Sequence, residues 1–260
     1  MIGHCNFSPS LPNILLLFIF SHLLPLKEKH AVFGFGSIKI LVFCAFTSLL
    51  AVFTTNGHVF AASALKVDAS AEAPVQILAF GDSLTAGYGL PPGEGFTDQL
   101  EVWLNAHSDV AIHVVNGGVS GDTSTGGRSR LDWGLSPFKD GKPSLVILEL
   151  GANDALRGVA PEITRTNIDA MVKLLTEREI PLLLTGMLAT PSWGPEYGRA
   201  FDSIFPDTAK KYDVLLYPFF LEGVAADLKL NQSDGLHPTK EGVAIIIEKM
   251  GPMVLKALGQ

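Results

Sequence analysis

Val75-Gln76-Ile77-Leu78-Ala79-Phe80-Gly81-Asp82-Ser83-Leu84 is a compact run, apolar but for Gln76, that ends in a Gly-Asp-Ser turn. Such a run suits a strand buried on both faces, as in a parallel sheet. Four more of the kind follow: Ala111–Asn116, Leu145–Leu150, Pro181–Met187 and Val214–Tyr217. Helix-like segments lie between them. Phe96–Ala106 places Phe96, Leu100, Trp103 and Leu104 at helical spacing. Thr123–Leu135, Ala160–Arg178 and Gly194–Lys211 follow the same pattern. Glu241–Leu258 closes the chain with an apolar stripe of Val243, Ile246, Ile247, Met250 and Val254. Thr239 is expected to cap that helix, and Pro252 to kink or restart it. The alternation predicts an α/β fold, a three-layer α/β/α sandwich around a parallel five-stranded sheet. In such folds the ligand crevice lies beyond the C-terminal ends of the strands, so chemistry is sought just after each one.

The remainder of the 260 residues divides into a targeting region, 1–64, and an Ala- and Ser-rich linker, 65–74, ahead of a single domain at 75–260. Only Lys27, Glu28, Lys29 and Lys39 are charged in residues 1–64. Lys39, the apolar run Ile40–Phe53 and the small residues Ala61, Ala62, Ser63 and Ala64 have the order of a secretory signal peptide, cleaved after Ala61 or Ala64. That predicts a periplasmic or secreted protein. The earlier run Leu11–Leu26 has two readings: the true start lies downstream of it, or it forms a membrane hairpin with Lys27 and Lys29 on the cytoplasmic side. An uncleaved segment would anchor the protein to a membrane. Phe43 before Cys44 argues against lipoprotein processing.

The whole chain has a net charge of −7; without residues 1–64, which hold three Lys and one Glu, it is −9. An acidic domain repels phosphate backbones, which disfavours nucleic-acid partners. Both cysteines, Cys5 and Cys44, fall in the targeting region, so the domain has no thiol, disulfide or Cys-based metal site. Neither a His-Glu-x-x-His pattern nor a His/Cys cluster is present, and no metal or cofactor is expected.

Chemistry-bearing residues follow the strands. After the first, Ser83 stands at a strand-to-helix turn that can lift its hydroxyl above the sheet; it is equally readable as a helix-capping Ser. After the second, Asn116-Gly117-Gly118-Val119-Ser120-Gly121-Asp122-Thr123 would let a main-chain N–H approach a substrate, or is a plain Gly-rich loop. No Lys follows Gly126-Gly127, so it is not a P-loop. After the third, the Asn153 amide can donate to a developing oxyanion, or close an Asx-turn. Near the C-terminus stands Asp234-Gly235-Leu236-His237-Pro238. Of the three histidines beyond residue 64, His107 ends a helix and His113 sits in a strand, which makes both structural or solvent-facing. Asp234, three residues before His237, can hold one imidazole nitrogen while the other meets a serine hydroxyl. Nucleophile, base, orienting carboxylate and oxyanion donors together are what acyl transfer needs. The absence of a Gly-x-Ser-x-Gly elbow disfavours the α/β-hydrolase fold.

The four segments Gly81–Leu84, Ser120-Gly121-Asp122, Gly151–Asp154 and Asp234–His237, in this order, resemble the blocks of the GDSL or SGNH hydrolases. Gly81–Gly89 looks most like their bacterial thioesterase, lysophospholipase and arylesterase branch. The resemblance covers about residues 75–258 and implies a flavodoxin-like sheet. It implies Ser83 as nucleophile, His237 as general base and Asp234 as its orienting partner. The implied oxyanion donors are the N–H groups of Ser83 and Gly121 and the side chain of Asn153. Substrate contacts are expected at Leu156, Leu188 and Trp193, of which Trp193 is equally readable as a packing residue. The loop Leu188–Tyr197, with Leu188, Pro191, Trp193 and Pro195, favours an apolar acyl or aryl group. The expected activity is hydrolysis of a small-molecule ester or thioester by a serine esterase, with transient lipid contact. A carbohydrate acetylesterase and a non-catalytic binding module on the same fold are the alternatives. The oligomeric state stays open.

Overall fold

The computed structural model describes residues 74–260. The expected signal peptide, the membrane-hairpin alternative and nearly all of the linker lie outside the described residues. Each apolar run becomes a strand: β1 Val75–Gly81, β2 Ile112–Gly118, β3 Leu145–Leu148, β4 Leu182–Thr185 and β5 Leu215–Tyr217. All pairings are parallel, in the order β2-β1-β3-β4-β5. The central strands β3 and β4 are buried throughout, which is why their sequence is unbroken Leu, Val and Ile up to Thr185. Strand β2 is an edge and carries the polar, solvent-facing His113 and Asn116.

The helices cover both faces. They are α1 Ser83–Ala86, α2 Phe96–His107, α3 Ser124–Leu135, α4 Ala152–Arg157, α5 Pro161–Glu177, α6 Gly194–Asp202, α7 Ile204–Tyr212 and α8 Lys240–Ala257. Helices α2 and α8 pack on each other, as do α3, α5, α6 and α7, giving three layers. The core is aromatic at its centre: Phe80, Phe96, Phe201, Phe205 and Phe220 are all buried.

Two helix expectations are corrected. Gly194–Lys211 is not one helix but two, broken at Ser203. Pro206 has no N–H to offer the Asp202 carbonyl, so a new helix begins before it and holds it in the first turn, where a missing donor is harmless. In contrast, α8 neither stops nor restarts at Pro252. Pro252 and Glu248, whose carbonyl loses its helical partner, both face solvent, which leaves that carbonyl open to hydration. Thr239 caps α8 as expected, its Oγ1 accepting from the Gly242 N–H.

The chain leaves β1 toward β2, then crosses back to β3 on the other side of β1. The loops after β1 and β3 therefore diverge from neighbouring strands and open a crevice at the topological switch point.

Candidate active site

Gly81 ends β1 where a Cβ would lie 2.1 Å from Thr85 Oγ1 and 2.6 Å from the Glu149 carbonyl oxygen, so only glycine fits. Asp82 caps the single-turn helix α1, its Oδ1 accepting from the Leu84 N–H at 3.0 Å. Ser83 is thereby the first residue of a helix, with its hydroxyl directed to His237. The Ser83 Oγ to His237 Nε2 distance is 2.8 Å, and His237 Nδ1 lies 2.6 Å from Asp234 Oδ2. The other Asp234 oxygen accepts the N–H groups of Leu236 and His237, in a turn whose Gly235 has a φ of +71°. The His237 ring, then these backbone donors, pull the Asp234 carboxyl down to about 2, so it stays ionised.

The histidine loop is tied to the serine segment. Gln232 Nε2 donates to the carbonyls of Tyr88 and Pro238 at 2.8 and 2.9 Å, and the Tyr88 ring lies 4.6 Å from that of His237. A second tie joins the ends of β1 and β2. Arg130 donates to the carbonyls of Gly81 and Gly117 and to Asp122, with its guanidinium over the Phe80 ring. Beyond β2, Gly121 has a φ of +86°, a conformation open to glycine.

Asn153 follows Gly151, whose φ is +118°. Its Nδ2 donates to Asp82 Oδ2 at 3.2 Å, and its Oδ1 accepts from Arg157 at 3.3 Å. Arg157 also donates to the Gly121 carbonyl. The amide is thus held by both ends, with a second Nδ2–H left to donate. Behind it, buried Asp154 accepts from Ser124 and Thr164, binding the β2 and β3 loops together.

These residues border one cavity of about 580 Å³, with Ser83, Gly121, Asn153 and His237 in its wall. Leu156 and Leu188 also line it, amid further apolar side chains such as Met187 and Phe219. Trp193 departs from the expectation of substrate contact. It is not in the wall: its indole N–H donates to the Ala155 carbonyl at 2.7 Å, and its ring packs where a Cβ on Gly158 would stand. His107 and His113 lie apart from the cavity, against Trp103 and Glu101 respectively. Sequence reasoning missed Arg130, Gln232, Arg157 and Glu149. The first three act on backbone carbonyls from distant segments and leave no local signal. Glu149, a lone carboxylate inside the run Leu145–Leu150, does leave one.

The sequence model of the GDSL-like lipase/acylhydrolase family matches residues 79–245. Esterase TesA of Pseudomonas aeruginosa is 37% identical over 176 residues, which are 68% of this chain and 86% of that protein. An arylesterase of Vibrio mimicus is 34% identical over 192 residues, 74% of this chain and 94% of that protein. Among solved structures, AlinE4, an SGNH-hydrolase family esterase, superposes with a TM-score of 0.60 at 46% identity, covering 72% of this chain and 98% of that one.

Proposed function

The chain belongs to the GDSL-like lipase/acylhydrolase family, and from that premise we propose that it cleaves its substrate through an acyl-enzyme formed on Ser83. The protein is a serine esterase, a carboxylic ester hydrolase. The observation that carries the residue assignment is the continuous chain Ser83 Oγ, His237 Nε2, His237 Nδ1, Asp234 Oδ2, with links of 2.8 and 2.6 Å.

His237 Nε2 takes the hydroxyl proton as Ser83 Oγ bonds to the carbonyl carbon, and the C=O electron pair moves onto oxygen. The N–H groups of Ser83 and Gly121 and the Asn153 amide donate to that oxyanion. His237 then protonates the leaving group as its bond to carbon breaks. Water repeats the cycle on the acyl-enzyme, returning the proton to Ser83. Asp234, kept ionised, stabilises the imidazolium throughout.

The acyl or aryl group of the substrate lies along the apolar wall, with Leu156 and Leu188 in contact. A cavity of about 580 Å³ suits an aryl ring or a medium acyl chain. Exposed Tyr88, Leu156, Leu188 and Leu236 at its edge support transient contact with a lipid or micellar surface. A sugar acetate would leave much of that wall unused, so the carbohydrate reading has less support. Export to the periplasm or beyond remains our reading of residues 39–64, tested by mass spectrometry of the N-terminus of protein from its native host.

The test is a nitrophenyl ester series of rising acyl length, run beside acetylated sugars and an acyl thioester. Activity should rise from acetyl toward medium chains; a preference for sugar acetates would overturn the substrate reading. Asn153→Ala should lose roughly 10²- to 10³-fold in kcat, the usual cost of one oxyanion donor. Unchanged kcat in that variant would remove Asn153 from the site.

A further inference from the structure

Two carboxyl groups lie beneath the nucleophile turn, and both are fully buried: Asp82 and Glu149 are each 0% exposed. Glu149 Oε2 accepts from the Asp82 N–H at 3.1 Å and from Thr85 Oγ1 at 2.9 Å. Its other oxygen, Oε1, has no N–H or O–H donor. Asp82 accepts from the Leu84 N–H and from Asn153 Nδ2. The two residues are direct neighbours, since the Asp82 N–H is one of the two donors to Glu149 Oε2. Two anions side by side in one dry site would repel, and among the described residues no Lys or Arg side chain pairs with either.

We propose that Glu149 is a positioning residue held as the neutral acid, donating through Oε1 to the Asp82 carboxylate and so fixing the turn of Ser83 and the amide of Asn153. The assignment of the proton follows from the donors. Asp82 uses both oxygens as acceptors, whereas Glu149 concentrates its acceptance on Oε2 and leaves Oε1 to donate. Burial first, then the Asp82 charge, raise Glu149 well above its ordinary 4.5. Burial also raises Asp82, to about 6, while the Leu84 N–H, Asn153 and Glu149 bonds and the facing His237 hold it lower. The titratable groups around the pair are therefore each other and His237. A single negative charge then sits behind the oxyanion donors, anchored on Asp82. This deepens the proposed site and rests on Asn153 being one of its donors.

The test uses Glu149→Gln and Glu149→Ala in the full chain. Gln can accept through Oε1 and donate through Nε2, so it reproduces both bonds of a neutral acid; Ala reproduces neither. Glu149→Ala should lower kcat roughly 10- to 100-fold with a smaller change in KM, and Glu149→Gln should restore it to within about threefold of wild type. Infrared difference spectra at about pH 8 should show the C=O stretch of a protonated carboxyl in wild type and its loss in Glu149→Gln. Should Glu149→Ala fail to fold, the infrared difference between wild type and Glu149→Gln still decides. Absence of that band, or a folded Glu149→Gln as impaired as Glu149→Ala, would overturn the proposal. Ser83→Ala, measured alongside, separates the two readings: it should lose turnover and keep the band. Retained turnover there would sink the nucleophile assignment without touching the acid pair.

Discussion

His237 has its two ring nitrogens committed to different partners, Asp234 at 2.6 Å and Ser83 at 2.8 Å. With the carboxylate on one side, the neutral ring keeps its proton on Nδ1 and its lone pair on Nε2, facing the hydroxyl. Asp234→Asn loses that constraint because an amide can present either a donor or an acceptor to Nδ1. Its kcat should fall roughly 10²- to 10⁴-fold with KM little changed. A raised KM with kcat retained would instead make Asp234 a binding residue. Asp234, lowered from 3.8 to about 2, contributes stability that is present above 3.8 and lost only as pH falls through about 2. Glu149 has the opposite sign. Its proton is kept in the fold and released on unfolding above 4.5, so wild-type stability declines as pH rises. The melting temperature of Glu149→Gln should therefore gain on wild type from about pH 5 to pH 8; parallel profiles would contradict a retained proton. At this scale the sequence shows Ser83, Asn153, Asp234 and His237 because each stands beside a strand end or in a Gly-containing turn. It hides Trp193's role, since the Gly158 surface that receives the ring comes from another part of the fold.

Elements differ in how far their boundaries can be read. Strands β1, β3 and β4 are visible because burial on both faces demands apolar runs, and the edge strands β2 and β5, only partly buried, because they keep shorter ones. The break between α6 and α7 was equally available in Pro206, but the apolar stripe continues past it, and periodicity alone bridges the gap. Pro252 misleads in the other direction, because its cost depends on whether the orphaned carbonyl reaches water. The ends of β1 and β2 depend on Arg130, whose side chain is 17% exposed and donates to Asp122, Gly81 and Gly117. Arg130→Met removes charge-assisted bonds and leaves Asp122 without its partner. It should destabilise the fold by about 2–4 kcal/mol, read as a lower urea midpoint. A midpoint within error of wild type would show that the strand ends hold without it. Activity should fall as well, since the loop bearing Gly121 starts at the end of β2.

For the molecule as a whole, the order β2-β1-β3-β4-β5 explains why residues up to 154 positions apart meet at one point. Ser83 and Asn153 leave the C-terminal ends of adjacent parallel strands, β1 and β3, and the loop before α8 brings His237 over them. The order of strands is not written in their composition. The crevice was still foreseeable, because parallel sheets with crossover helices place their loops of one kind along one edge. The central claim is that Ser83 is the nucleophile poised on that edge. The most direct measurement is reaction of the full chain with an organophosphate, followed by peptide mass spectrometry. One phosphoryl group per molecule, on the peptide carrying Ser83, with activity lost in proportion, is the predicted result. Complete inactivation with the adduct on another residue would contradict it.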